Sequence, residues 1–401
     1  MPKILIFSLS YFPFVGGAEV AINEITKRCP DFEFDLITNR FDPKLPAKEK
    51  IGNVDVYRIG KGRWWEKYFY PWLAQKKARE LVAAAARWSP DQRAVSVGED
   101  TNRQQLYCIV WGVLETWAGL AALKFKEKNP EVKYLLTMQS GDSDEFIKRR
   151  TWFWSRRYEQ IFRKADFIQV ISEFLKKRAR RYGYKGEIEV VPNGVDIEKF
   201  KAVKPPLAPP YPKGENPIEK LLKGGSEKVI ITVSRIEEKN GVEYLIKAVQ
   251  NLPVKLLIVG GGKLESSLKA LVAKLDIKDK VIFTGRINHD DLPKYYSVAD
   301  IFVRPSLSEG LGNVFLEAMA LGVPVVGTAV GGIPDFLKDG ETGLFCKTKD
   351  PSDLAEKIKL LLEDEKLREK LIRNGKELVQ KKYNWDKIAE KMNDIFKELI
   401  K

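Results

Sequence analysis

Apolar runs of strand length alternate with helical patterns along most of the chain, and this alternation limits the possible folds more than any other feature. In the first half the runs are KILIFS, FDLIT, VDVYRI, CIVW, YLLTM, FIQVIS and IEVVPN, and in the second half they are VIITVS, KLLIVG, VIFTG, IFVRPS and VPVVGT. Most of them lack a strict polar–apolar alternation, as expected for strands that are buried on both faces of a parallel sheet. The pattern predicts an α/β protein with two doubly wound parallel sheets.

A proline-rich segment separates the two series of strands. KPPLAPPYPKGENP, Lys204 to Pro217, contains six prolines and is typical of a stiff connector rather than of a core. The chain of 401 residues is also long for one core. The predicted organisation is an N-terminal domain at 1–200, a linker at 201–225, a C-terminal domain at 226–384 and a final helix at 385–401 that packs on the first domain.

The cysteine and histidine contents exclude several classes of site. Cys29, Cys108 and Cys346 are odd in number and far apart, which argues against a disulfide framework and for a cytoplasmic protein. His289 is the only histidine, which argues against a multi-histidine zinc site and a Ser-His-Asp triad. His289 precedes a helical pattern, and we predict a polar helix-entry role for it. The longest apolar run is too short to cross a bilayer, and the first residues lack a secretory leader pattern.

The formal charge of +14 is unevenly distributed. Glu145 to Glu187 contains 13 Lys or Arg against five Asp or Glu, so its net charge is +8. Within it, Lys148 to Lys164 also carries five aromatic residues, and Gly62 to Lys77 is a second aromatic stretch. Such a composition fits contact with an anionic membrane or, equally, a solvated helix face whose aromatic residues lie in the core. Nucleic-acid binding is disfavoured because no recognition motif accompanies the charge.

Three loops of the second half combine glycine or cations with the end of a predicted strand. In SEGLGNVF, Gly310 and Gly312 precede a helical pattern that ends at Gly322. In SRIEEKNG, Arg235 and Lys239 follow a strand, and VGGIP is another glycine-rich turn. A helix N-terminus offers free N–H groups and a positive dipole end, so the three loops together predict a phosphate site.

Acidic residues accompany the predicted phosphate site. Glu309 lies before the helix and Glu317 lies inside it, and each carboxylate can accept hydrogen bonds from sugar hydroxyls. The alternative is that Glu309 only interacts with the helix dipole and that Glu317 is solvated. Asp142 and Asp144 form an Asp-x-Asp pattern, which resembles a metal-binding motif. Asp142 with Glu145 also fits a helix capping box, and this local explanation is sufficient. Because cations and a helix terminus can neutralise a diphosphate, we predict no metal and no other cofactor.

The order of these motifs resembles one enzyme family. EGLGNVFLE places seven residues between Glu309 and Glu317, and SRIEEKNGVEYLIKA, LLIVGGG, VIFTGRI, YYSVADIFVRPS, EAMALGVPVVGTAVGGIPDFL and DGETGLF flank it in the family's order. YFPFVGGAEVAINEI, ISEFLKKRARRYG and VVPNGVD of the first half are also similar. Over nearly its full length the chain resembles glycosyltransferase family 4, also called glycosyl transferases group 1. The resemblance implies the GT-B fold, in which two Rossmann-like domains face each other across a cleft.

The resemblance also implies roles for individual residues. Arg235 and Lys239 would contact the donor diphosphate, Glu309 the donor sugar and Glu317 the nucleotide ribose, while the backbone at Ile287 would meet the base. The other implied donor contacts in the second domain are Gly310, Leu311, Gly312, Asn313 and Val314. We expect Glu309, Arg235 and Lys239 to carry the catalytic work.

Two implied positions lie in the first half, and two positions depart from the family. Gly16 and Gly17 would close over the phosphate and sugar, and Gly17 begins a predicted helix whose apolar stripe is Ala18, Ala21, Ile22 and Ile25. Gln139 stands where many members have histidine, and it cannot act as a base; Gln139 and Asp142 are the predicted acceptor-side residues. Asn240 stands where many members have lysine, which indicates that Lys239 is displaced by one position.

The implied function is transfer of a sugar from a nucleoside-diphosphate sugar to an acceptor hydroxyl with retention of configuration. The expected acceptor is a lipid-linked or polysaccharide precursor at the inner face of the membrane. A non-catalytic nucleotide- or polyanion-binding module and a GT-B-fold nucleotide-sugar epimerase remain alternatives. The motifs leave the nucleotide base, UDP or GDP, and the sugar open.

Overall fold

The computed structural model describes residues 1–87, 106–200 and 227–401, and these divide into two compact units. The first unit is Met1–Ser140, Glu145–Val191 and Ile388–Lys401, and the second is Gly141–Asp144 and Pro192–Lys387. The predicted linker at 201–225 lies outside the described residues, so its stiffness stays a prediction.

The first unit is built on a sheet of eight strands within the described ranges. They are β1 (Lys3–Phe7), β2 (Glu33–Asn39), β3 (Lys48–Ile51), β4 (Val54–Ile59), β5 (Ile109–Val113), β6 (Lys133–Met138), β7 (Phe167–Val170) and β8 (Ile188–Val190). Their order across the sheet is β3-β4-β2-β1-β5-β6-β7-β8, and all neighbours are parallel except β3 and β4. The inner strands are almost completely buried, because helices cover both faces of a parallel sheet.

Six described α-helices connect these strands. They are α1 (Gly17–Lys27), α2 (Tyr70–Arg87), α3 (Trp117–Lys128), α4 (Asp144–Thr151), α5 (Ser155–Arg163) and α6 (Glu173–Arg181). The predicted stripe of α1 is confirmed, because Ala18, Ala21, Ile22 and Ile25 are all buried. Short 3₁₀ helices at Glu66–Tyr68 and Trp152–Trp154 precede α2 and α5.

The second unit repeats the architecture with a fully parallel sheet, six strands wide in the described residues. The strands are β9 (Lys228–Val233), β10 (Val254–Val259), β11 (Val281–Gly285), β12 (Ile301–Arg304), β13 (Val325–Thr328) and β14 (Leu344–Cys346). Their order is β11-β10-β9-β12-β13-β14, which reverses direction between β9 and β12. In doubly wound sheets, ligands bind outside the carboxyl ends of the strands at such a reversal.

The second unit has six α-helices among the described residues. They are α7 (Val242–Ala248), α8 (Glu265–Lys274), α9 (Leu292–Tyr296), α10 (Asn313–Leu321), α11 (Pro351–Glu363) and α12 (Glu365–Lys382), with 3₁₀ helices at Glu238–Asn240, His289–Asp291 and Ile333–Asp335. The helical pattern that was expected to stop at Gly322 does so, because Gly322 caps α10 with φ of 78°.

The final helix, α13 (Trp385–Leu399), begins in the second unit, and from Ile388 onward its residues belong to the first. One face of this helix is apolar, and its residues Ile388, Met392, Ile395 and Leu399 are buried. Within the first unit, the ring centroid of Phe396 lies 5.3 Å from that of Trp111 and 5.5 Å from that of Phe32. The end of the chain therefore completes the core of the sheet that its beginning forms.

Two described strands were absent from the sequence-based prediction. β3 has the sequence KEKI and is a charged antiparallel edge strand, and β14 has only three residues. Both lie at the edge of their sheet, where the apolar signal is weakest. None of the described helices is long and apolar enough to span a bilayer.

Candidate active site

Two loops of the second unit meet at the reversal of its strand order. Arg235 follows β9, and Glu309 follows β12, the neighbouring parallel strand. The backbone joins them, because the N–H of Leu307 donates to the carbonyl oxygen of Lys239 at 2.7 Å. The residues that the sequence assigned to a phosphate site therefore lie at one edge of one sheet.

The loop after β12 opens directly onto α10. Gly312 occupies the N-cap position with φ of 102°, a conformation that disfavours side chains, and no side chain caps the helix there. The first turn of α10 contains Asn313 and Val314 and no acidic residue. Gly310 and Leu311 precede this turn, and both are buried. Free N–H groups at a helix start favour an anionic ligand.

The backbone of Glu309 is clamped by a second glycine-rich loop. A β-carbon on Gly331, whose φ is 57°, would lie 1.7 Å from the carbonyl oxygen of Glu309. The N–H of Gly332 donates to the same oxygen at 3.3 Å. The VGGIP turn, predicted to approach a phosphate, thus supports the loop that carries Glu309.

The carboxylate of Glu309 forms a mostly buried ion pair that sequence reasoning missed. Arg304 Nη2 lies 2.7 Å from Glu309 Oε2, and the two side chains are 11% and 15% exposed. Arg304 Nη2 also donates to Asn240 Oδ1 at 2.6 Å, and Asn240 Nδ2 donates to the carbonyl oxygen of Arg235 at 2.5 Å. Asn240, noted as a departure from the family, therefore links the two loops. The sequence does contain one sign of this ion pair: Arg304 is a charged residue at the end of an apolar strand, where it needs a partner.

The two predicted cations have different surroundings. Lys239 Nζ lies 2.8 Å from Asp142 Oδ1, with both side chains about a quarter exposed (25% and 28%). The capping interpretation of Asp142 did not anticipate this ion pair. Arg235 is 69% exposed, and its partner is Glu237 at 3.5 Å. Arg235 is therefore held loosely, while Lys239 is oriented.

The Asp142 segment packs closely on the Glu309 loop within the second unit. Ser308 Oγ donates to the carbonyl oxygen of Gly141 at 2.8 Å. A β-carbon on Gly141 would lie 2.7 Å from the N atom of Gly310. Only glycine permits this approach of two backbones at position 141.

Glu317 is buried and hydrogen-bonded, so the alternative that it is merely solvated is wrong. Its side chain is 9% exposed, and His289 Nε2 lies 2.9 Å from Oε1. Tyr296 Oη donates to Oε2 at 3.2 Å. His289 does begin a 3₁₀ helix, as expected of a helix-entry residue, but its ring also contacts Glu317. Ile287, two residues before His289, is half-buried and follows β11.

The remaining predicted positions belong to the first unit. Gly16 is the N-cap of α1, and Gly17 is its first residue. The side chain of Glu19, in the first turn of α1, accepts a hydrogen bond from Ser10. Gln139 follows β6 and is half-buried. Gly16, Gly17 and Gln139 thus also follow the carboxyl ends of parallel strands, the edge that binds ligands in such sheets.

The basic aromatic segment divides between core and surface. Tyr158 and Phe162 are buried, whereas Trp152 is 76% and Phe153 67% exposed. Trp64, Tyr68, Phe69 and Trp72 are also exposed. We call the exposed residues Trp64, Tyr68, Phe69, Trp72, Trp152 and Phe153 the aromatic surface.

The buried ring of Trp117 and the half-buried ring of Trp154 connect the two parts of the aromatic surface. Trp117 stacks on Trp154 with centroids 5.0 Å apart, and its other neighbour is Tyr68 at 6.0 Å. Cations flank the surface: Lys67 lies over Tyr68 at 5.2 Å, and Lys124 lies over Trp72 at 5.1 Å. Trp117 begins α3 directly after β5, so this surface lies at the carboxyl edge of the first sheet.

No group of three or more His, Cys, Asp or Glu side chains that could hold a metal ion occurs among the described residues. The expectation that the reaction needs no metal stays a prediction, because a metal could also be bound with its substrate.

Comparisons with known proteins agree with this architecture. The model of glycosyl transferases group 1 matches residues 215–378, and that of glycosyltransferase family 4 matches residues 106–199. An uncharacterized glycosyltransferase of Methanocaldococcus jannaschii is 38% identical over 98% of both chains. A GDP-mannose-dependent alpha-(1-6)-phosphatidylinositol monomannoside mannosyltransferase of Mycobacterium tuberculosis is 29% identical over 58% of this chain and 62% of its own.

A solved structure is similar over the whole chain. Anabaena Alr3699/HepE in complex with UDP-glucose superposes with a TM-score of 0.75 and 19% identity, covering 99% of both chains. With its two parallel-sheet units, the chain has the GT-B fold. The chain belongs to the group 1, family 4 glycosyltransferases and is a glycosyltransferase.

Proposed function

We propose that the protein transfers a sugar from a nucleoside-diphosphate sugar to an acceptor hydroxyl with retention of configuration. The observation that carries the proposal is the Glu309 carboxylate, held by Arg304 at the uncapped start of α10. Lys239 and Arg235 on the adjacent strand end supply positive charge beside it. Among the relatives, one uses GDP-mannose and one binds UDP-glucose, which supports a nucleotide-sugar donor.

Each part of the site has a role in this reaction. The N–H groups of α10 and the ammonium of Lys239 stabilise the negative charge that grows on the diphosphate as its bond to the sugar breaks. Glu309 accepts hydrogen bonds from sugar hydroxyls, because an ionised carboxylate is acceptor-only. Arg304 maintains the orientation of Glu309 by binding its Oε2 atom. The remaining acceptor sites of the carboxylate are left for the sugar hydroxyls.

In the proposed mechanism the acceptor attacks on the face that the nucleotide leaves. The bond between the anomeric carbon and the phosphate oxygen breaks while the acceptor oxygen bonds to the same carbon. The departing phosphate oxygen takes the proton of the acceptor hydroxyl, so no protein base is required and Gln139 is tolerated. The two cations and the backbone amides of the site stabilise the charge on the diphosphate, so the proposal includes no metal and no cofactor.

The aromatic surface supports an acceptor at an anionic membrane. Exposed tryptophans suit the headgroup region, where one end of the ring is apolar and the other wet. Lys148, Arg149 and Arg150 form the last turn of α4, which immediately precedes Trp152. The proposed location is therefore the cytoplasmic face of a membrane, with a lipid-linked or polysaccharide precursor as acceptor.

The donor is tested by incubating the protein with a panel of UDP- and GDP-sugars and measuring the release of nucleoside diphosphate. We expect one donor to be used in the presence of EDTA and the product to keep the anomeric configuration by NMR. Glu309→Gln should lower turnover about a hundredfold or more, while Arg373→Met, at an exposed residue of α12, is the control. Wild-type turnover in Glu309→Gln would contradict the proposal.

Membrane binding is tested separately by sedimentation with vesicles that contain or lack anionic lipid. Wild-type protein should bind anionic vesicles at low salt and lose most of that binding at high salt, because surface charges are screened. Trp152→Ser with Phe153→Ser should reduce binding, whereas substitution of an exposed apolar residue elsewhere in the first unit, Val82→Ser, should not. Absence of binding at low salt would refute the membrane assignment and leave the donor reaction intact.

A further inference from the structure

A series of hydrogen-bonded side chains connects Lys199 to Glu317 in the second unit. Lys199 Nζ lies 2.9 Å from His289 Nδ1, and His289 Nε2 lies 2.9 Å from Glu317 Oε1. Tyr296 Oη lies 3.2 Å from Glu317 Oε2 and 3.1 Å from the carbonyl oxygen of Val314, and its one O–H is shared between these two acceptors. Phe200 packs on the other side, with its ring centroid 5.7 Å from that of His289 and 6.2 Å from that of Tyr296.

The contact with lysine determines the protonation of the imidazole. An ammonium group has three donors and no acceptor, so Nδ1 of His289 must accept the hydrogen bond from Lys199. The imidazole is then neutral, and its one proton is on Nε2, where it is donated to Glu317. Lys199 is itself oriented by Asp290, whose carboxylate lies 2.5 Å from Nζ.

Tyr296 donates from the other side of the same carboxylate. Burial raises the pKa of its phenol well above the ordinary value, and the negative charge of Glu317 raises it further. Tyr296 therefore keeps its proton. The two donors, His289 and Tyr296, each approach a different oxygen of Glu317.

The carboxylate retains acceptor capacity after these two bonds. An ionised carboxylate has about four lone-pair sites, and His289 and Tyr296 occupy two of them. The free sites are divided between the two oxygens, which suits two neighbouring hydroxyls such as those of a ribose. A solvated glutamate on a helix would lose this orientation, because its torsions would be free.

We propose that His289, locked as its Nε2–H tautomer by Lys199, is a positioning residue that orients Glu317 toward the vicinal hydroxyls of the donor ribose. This inference rests on the proposed function, since it concerns the nucleotide half of the same donor. It assigns a role in recognition to the single histidine of the chain and to a lysine 90 residues away in sequence.

Two substitutions of His289 separate the two contacts of the ring. The amide nitrogen of His289→Gln can replace Nε2 and keep the donor to Glu317. The shorter His289→Asn can replace only Nδ1, so it keeps an acceptor for Lys199 and loses the donor. Lys199→Met removes the ammonium and keeps an apolar stem of similar length.

The measurement is calorimetric binding of UDP and GDP, and of their 2′,3′-dideoxy analogues, to the full-length protein. We expect His289→Asn to weaken binding of the preferred nucleotide about tenfold, or about 1.4 kcal/mol, and to leave the dideoxy analogue unaffected. His289→Gln should bind nearly as wild type does. Lys199→Met should weaken binding less than His289→Asn, again only when the hydroxyls are present.

The outcomes distinguish this inference from the proposed function. Equal weakening of both ligands by His289→Asn would indicate a purely structural histidine and overturn the inference, as would unchanged binding of both. If His289→Asn does not fold, Lys199→Met decides by the same comparison. Wild-type protein that binds neither nucleotide and uses no nucleotide sugar would overturn the proposed function itself.

Discussion

Replacement of Arg304 tests the ion pair that the sequence did not predict. Arg304→Met keeps the long apolar stem and removes the guanidinium, which leaves the carboxylate of Glu309 and the side-chain oxygen of Asn240 without this donor. Removing one partner of a buried ion pair costs about 3–5 kcal/mol, because the other charge stays desolvated. The Arg304 and Glu309 side chains retain 11% and 15% exposure, so we expect the lower end of that range, about 3 kcal/mol.

The loss is measured as a shift in the unfolding temperature. For a unit of this size, 1 kcal/mol corresponds to about 2–4 °C, so Arg304→Met should unfold about 6–12 °C below wild type by scanning calorimetry. Arg286→Met provides a matched control, since Arg286 is an exposed arginine of the same unit. Its shift should be below about 2 °C, because exposed substitutions change stability little.

A double variant separates the ion pair from other effects of the substitution. Arg304→Met with Glu309→Leu removes the stranded carboxylate, so it should be at least as stable as Arg304→Met alone, with a coupling free energy of about 0.5–3 kcal/mol. Strict additivity, or a shift for Arg304→Met no larger than that for Arg286→Met, would refute the assignment of Arg304 as the partner of Glu309.

Three further predictions concern single positions. Gly331→Ala should lower stability by about 2 kcal/mol more than Gly340→Ala in a thermal shift assay, because both positions have positive φ but only the first would clash with Glu309; equal shifts would contradict the clash. Lys239→Met should lower turnover at saturating donor about a hundredfold, and an unchanged rate would remove Lys239 from the site. Burial raises the pKa of the Cys29 thiol to about 12, so iodoacetamide at pH 8 should modify Cys29 only after unfolding, as followed by mass spectrometry. Rapid modification of the native protein would contradict its burial.

Strand and helix patterns were predictable from the sequence where apolar residues are dense. The strand VDVYRI and the strand VIFTG coincide with β4 and β11, and the helical pattern predicted between Gly312 and Gly322 coincides with α10. These segments are buried on at least one face, so the spacing of their apolar residues indicates which type of element they form. The charged edge strand β3 escaped prediction because it forms only by pairing with β4.

The glycine positions of the candidate site were also visible in the sequence, but their purpose was not. Gly312 was expected at a helix start and lies there with positive φ. Gly331 was expected near a phosphate, which stays a prediction, and in the structure its lack of a side chain clears space for the carbonyl oxygen of Glu309. A glycine indicates that a backbone approach is close without indicating which backbone approaches.

By itself the sequence determined the two parallel-sheet units, the helix starts and the loops that carry Glu309, Arg235 and Lys239, because periodicity and turn chemistry are local properties. Only the tertiary structure decided which side chains meet. Arg304 ends β12 and pairs with Glu309 because the loop after this strand returns the carboxylate to the strand end, whereas His289 meets Glu317 because the segments that follow β11 and β12 lie at the same edge of the sheet. Hydrogen bonds between side chains depend on distances of a few tenths of an ångström, and such distances exist only after the sheet has formed.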